Sequence, residues 1–134
     1  MCGSLNLSVV VCVAVSQDYF QNLTDVMVYE TTTLTCRATY GNNIVWYFEQ
    51  FCDDFEHGFY FCSRPAVIVI GHQFQIRSVA PGEHSLLING VTNNMTGLYS
   101  CRNRVTQTVI DSVLLNVMCK YNVFLFAVYM FLLA

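Results

Sequence analysis

Four residues constrain this chain more than any others: Cys36, Trp46, Tyr99 and Cys101. The cysteines stand 65 positions apart, the tryptophan follows the first by ten, and the tyrosine precedes the second by two. Around them apolar residues recur with period two, the pattern of a strand with one buried face and not of a helix. Leu34, Cys36 and Ala38 fall on one side of their segment, and Ile44, Trp46 and Phe48 on one side of theirs. Cys36 and Trp46 therefore point inward from strands.

The same rhythm runs from residue 18 to 117, broken by Gly, Asn, Asp or Pro every eight to twelve residues. Val26 and Val28 suit an opening strand, followed by strands over 31–39 and 44–51. The latter alternation turns Tyr47, Glu49 and Phe51 outward. Asp53, Asp54 and Gly58 have the chemistry of a hairpin turn, from which 59–63 return antiparallel. An apolar run over 66–70 ends at Gly71, and strands over 73–79 and 85–91 flank a Pro81-Gly82 turn, with Leu86 and Ile88 inward. Strands over 98–104 and 106–117 complete the series, the last with Val113, Leu115 and Val117 facing the core. The reading is an all-β antiparallel sandwich of eight or nine short strands without a helix.

A chain of 134 residues supports one such domain. Its net charge is −3 and its six cations are scattered, which excludes the basic patch that nucleic acid would require. The ends differ from the middle. Residues 5–15 have the length of a signal-peptide core, and Ala14 and Ser16 stand at the −3 and −1 positions of a cut before Gln17, although a basic leader is missing. A signal peptide over 1–16 is expected, with a buried first strand as the alternative. Its removal discards Cys2 and Cys12 and leaves five cysteines for an oxidising compartment. Two glycosylation triplets survive, at Asn22 and Asn94.

Residues 119–134 read as a hydrophobic membrane segment or a lipid-anchor signal. As a helix, 121–134 would extend roughly 21 Å, short of the hydrocarbon core unless it starts near Val117 and Lys120 snorkels. No tail able to signal is expected after it. Cys119 is the odd thiol, available for acylation or a disulfide-linked dimer.

With the strands assigned, the residues resemble the immunoglobulin superfamily, its variable-type set in particular. The resemblance rests on Leu34-Thr-Cys36, Trp46, Ser85-Leu-Leu-Ile-Asn89 and above all Thr96-Gly-Leu-Tyr-Ser-Cys101, and covers about a hundred residues, 17–118. It implies that Cys36 and Cys101 bridge two sheets, that Trp46 covers the bridge, and that the Tyr99 hydroxyl ties down the corner before Cys101. Three departures stand out. Met95 occupies the place of the family's Asp, so the family's ion pair to an Arg cannot form, although Arg77 stands near the place of that Arg. Glu49 stands where Gln is usual, which leaves the register of that strand open. The last strand lacks the Phe/Trp-Gly-x-Gly bulge, which excludes a rearranged antigen receptor.

No nucleophile elbow, zinc-protease helix or phosphate loop occurs, so neither catalysis nor a cofactor is expected. His57 beside Cys52, Cys62, Asp53, Asp54 and Glu56 mixes soft and hard ligands without a C-x-x-C pair, and a solvated turn is the better reading than a metal site. Cys52 and Cys62 bracket that turn and read either as a second bridge or as thiols free for other partners.

Tyr47, Phe48, Phe51, Phe55, Phe59, Tyr60 and Phe61 crowd into fifteen residues, and alternation can bury only about half of them. They read either as an exposed patch or as core plus scattered tyrosines. On the first reading Tyr47, Glu49, Phe51, Phe55 and Tyr60 bind a partner, since aromatic patches rimmed by charge are common at interfaces. The resemblance adds that this hairpin belongs to a sheet face often used to bind other immunoglobulin domains. The expected protein is a cell-surface binding module, an immune-type receptor or ligand, with a secreted or virus-encoded decoy as the alternative.

Overall fold

Alternation along the chain resolves into eleven strands in the computed structural model, which describes residues 2–4, 10–12, 22–38, 43–54 and 58–118. The first two, β1 (Cys2–Ser4) and β2 (Val10–Cys12), pair only with each other. They are not strands of the sandwich. The proposed cut before Gln17 and all of 119–134 lie outside the described residues.

The remaining nine are β3 (Leu23–Met27), β4 (Thr32–Leu34), β5 (Ile44–Asp54), β6 (Gly58–Phe61), β7 (Ala66–Val67), β8 (Phe74–Arg77), β9 (Ser85–Ile88), β10 (Gly97–Asn103) and β11 (Val109–Met118). One sheet has the order β3-β11-β10-β5-β6, with β7 also on β5, and the other the order β4-β9-β8. Every pairing is antiparallel except β3 on β11, which is parallel. Among the described residues the only helical element is a 3-10 turn, Asn93–Met95. Thus β5 runs three residues beyond the expected strand end, and its register with β10 is unbroken from Ile44 to Gln50, so Glu49 causes no slip.

The inward sides meet in a single core. Leu34, Cys36, Trp46, Leu86, Ile88, Tyr99, Cys101, Leu115 and Val117 are all buried there. Cys36 and Cys101 are joined across the sheets with Cα atoms 6.4 Å apart. Trp46 lies directly opposite Cys101 in the ladder, and its indole N–H donates to the His84 carbonyl at 2.8 Å. A buried indole needs such an acceptor.

The corner before Cys101 is tied by the Tyr99 hydroxyl, as the resemblance implied: it donates to the Met95 carbonyl oxygen at 2.6 Å. Met95 itself turns into the core, and the Gln73 amide lies 3.7 Å from its sulfur. Met95 therefore adds an apolar side chain to the core, and Arg77 stays exposed. Tyr99→Phe would leave the buried Met95 carbonyl unsatisfied and is expected to cost about 1–3 kcal/mol in a denaturant titration. Burial also pushes the Tyr99 phenol well above its ordinary range. The folded state thus prefers the neutral phenol, so this contribution is complete below about pH 10 and shrinks as pH rises past the unfolded phenol's pKa. The stability gap between wild type and Tyr99→Phe should narrow above that pH.

Candidate functional site: the outer face of the larger sheet

Because Trp46 and Phe48 point inward, Tyr47, Glu49 and Phe51 of β5 point to the outer face. Pairing then determines their neighbours. Ser100 and Val67 stand opposite Tyr47, Leu98 opposite Glu49, and Phe61 opposite Phe51. On β10 the residue after the buried Cys101 must also face outward, and it is Arg102.

Two regions result. Towards the end of β5, Phe51 is only 6% exposed, its ring centre 5.1 Å from that of Phe61 with the planes tilted by 58°, and it clusters with Leu114, Leu23 and Leu98. This is a small second core on the sheet's outer side. Towards the middle, the Arg102 guanidinium lies 4.5 Å from the Tyr47 ring centre, and the Tyr47 hydroxyl donates to Gln107 Oε1 at 2.9 Å. Val67, Val105 and Val109 are exposed; Val67 stands opposite Tyr47 and Val109 opposite Arg102.

The five residues read as partner-binding do not form one patch. Tyr47 and Glu49 are half-buried on the outer face, and Phe51 shares that face but is buried. Tyr60 is exposed yet stands opposite Cys52, so it projects from the other side of the hairpin. Phe55 lies outside the described residues. Arg102, Val67 and Gln107 were missed. Alternation from Cys101 would have found Arg102, but no local signal says which strand is laid beside it.

Cys52 and Cys62 are bridged, Cα to Cα 5.7 Å, which decides between the two readings of that pair. The bridge clamps the β5–β6 hairpin just beyond Gln50, whose carbonyl accepts the Cys62 N–H at 2.9 Å. Replacing both with serine is expected to cost at most about 3 kcal/mol, since only a short loop is closed. Amide exchange should accelerate more at Phe61 than at Leu115. Asn22 and Asn94 are both exposed, the first immediately before β3 and the second in the 3-10 turn.

Other groupings are sparse. Among the described residues no three His, Cys, Asp or Glu side chains converge as metal ligands, and no helix is long and apolar enough to cross a membrane. A 430 Å³ depression lies between Arg37 and Glu83, and a 370 Å³ one beside Asp111 and Thr33. No protein-family model matches the chain, and no curated protein is significantly similar to it.

Proposed function

We propose that the chain is an immunoglobulin-type variable domain, exported and held at the cell surface, that binds another protein through the outer face of its larger sheet. The carrying observation is the Tyr47–Arg102 stack beside exposed Val67 and Val109, an aromatic and an arginine within an aliphatic surround. Tyr and Arg are the types that dominate binding energy at interfaces. The domain assignment is supported by the strand order, the parallel pairing of β3 with β11, the Cys36–Cys101 bridge under Trp46, and the Tyr99 corner. Export rests on the sequence of 1–16, the two exposed sequons and the bridges; membrane attachment rests on 119–134, and Cys119 offers a link to a second chain.

The test is to display the full chain on cells and screen cell-surface ectodomains. Binding by an ectodomain should fall about tenfold or more with Val67→Asp or Tyr47→Ala, and stay unchanged with Thr33→Lys, which lies on the smaller sheet. No bound ectodomain, or binding indifferent to Val67→Asp, would sink the reading. Loss of mass on enzymatic deglycosylation would report export and occupied sequons.

A further inference from the structure

We propose that Arg102 is a carboxylate anchor: the partner protein seats an Asp or Glu side chain on its terminal guanidinium nitrogens, against the Tyr47 ring. This deepens the reading of the outer face and rests on it.

Arg102 is already held on two sides. Its Nε–H donates to Ser100 Oγ at 3.3 Å, and its guanidinium carbon lies over the Tyr47 ring, 4.5 Å from the ring centre. Tyr47 is held in turn by Gln107, whose amide nitrogen donates to the Arg104 carbonyl at 2.9 Å, and whose backbone N–H donates to the Asn103 carbonyl at 2.8 Å. Arginine normally loses much rotamer freedom on binding. Here the side chain is oriented before any partner arrives.

What remains uncommitted is the fork. Among the described residues no carboxylate pairs with Arg102 and no acceptor takes its two terminal nitrogens. Glu49, the acid on the same face, stands opposite Leu98, four residues along β10 from Arg102. Asp111 is engaged by the Ser112 N–H at 2.8 Å. The residues paired with Arg102 are Val45 and Val109, both aliphatic. A partner covering them would exclude water and strengthen a charge-assisted bidentate bond. A planar guanidinium fork matches a carboxylate bidentately, and on a partner protein the carboxylates are Asp and Glu side chains.

The probe is the peptide acetyl-Val-Glu-Val-amide, titrated into the isotope-labelled full chain and compared with its Gln counterpart. We expect shifts centred on Arg102 Nε, Ser100 and Tyr47, and affinity about tenfold weaker for the Gln peptide, the worth of one charge-assisted bond. Arg102→Gln should abolish the preference and Arg102→Lys should keep part of it. An unaltered spectrum for the rest of the domain checks that each variant folds. Equal binding of the two peptides, shifts elsewhere, or a preference surviving Arg102→Gln would overturn the inference. The ectodomain screen separates the two levels: binding lost with Val67→Asp but kept with Arg102→Gln would remove the carboxylate anchor and keep the face, and binding indifferent to both would remove the face as well.

Discussion

Replacing Cys36 and Cys101 together with alanine is expected to destabilise the domain by about 4 kcal/mol, because the bridge closes a long loop and the unfolded chain regains that freedom. The loop spans 65 positions, and the bridge is buried at the centre of the core opposite Trp46. A small domain has only about 5–15 kcal/mol to lose. Most of the native population should therefore disappear well below the wild-type urea midpoint. The measurement is equilibrium unfolding followed by Trp46 fluorescence, the chain's one tryptophan. A loss under about 1 kcal/mol would mean that packing of the sheets alone restricts the chain, contrary to the entropy argument.

Gly97→Ala should be comparably damaging for a different reason. A Cβ there would lie 2.6 Å from Phe48 Cε2 and 3.1 Å from the Gln50 Cα, and closer still to the Glu49 carbonyl oxygen. Two of those three atoms are backbone, belonging to the ladder that pairs Gly97 with Gln50, so they cannot rotate away. Relief requires β5 and β10 to part, which also disturbs Phe48 where it packs at 4.7 Å on Tyr99. Overpacking of this kind costs about 3 kcal/mol, at the upper end of its usual range. Gly71→Ala is the control. Nothing lies within 4 Å of its added Cβ, so it should shift stability by less than about 0.5 kcal/mol in the same titration. Equal behaviour of the two variants would refute the close-approach argument.

The contrast between these glycines separates what a local pattern can say from what assembly decides. Both are glycines in β-rich sequence, and only the partner strand distinguishes them. Alternation was sufficient for the inward set of Leu34, Cys36, Trp46, Leu86, Ile88, Leu115 and Val117, because side-chain direction along a strand depends on that strand alone. It was insufficient for the aromatic hairpin. Phe51 was correctly turned outward, yet Phe61, Leu98 and Leu114 bury it, and these come from three other strands. Tyr60 was grouped with Tyr47 by proximity in sequence, and the β5–β6 register sets it on the opposite side.

By itself, then, the sequence determined the strand series and the inward faces, which follow from period-two alternation, while the roles of Cys36, Trp46, Tyr99 and Cys101 were what its resemblance implied. Only the tertiary structure decided what lies beside what: the Cys52–Cys62 bridge, the buried Met95, the close approach at Gly97 and the stack of Arg102 on Tyr47. Arg102 and Tyr47 are 55 residues apart in sequence, and they meet because β10 pairs with β5 in one register, chosen to bury the opposite face of both strands.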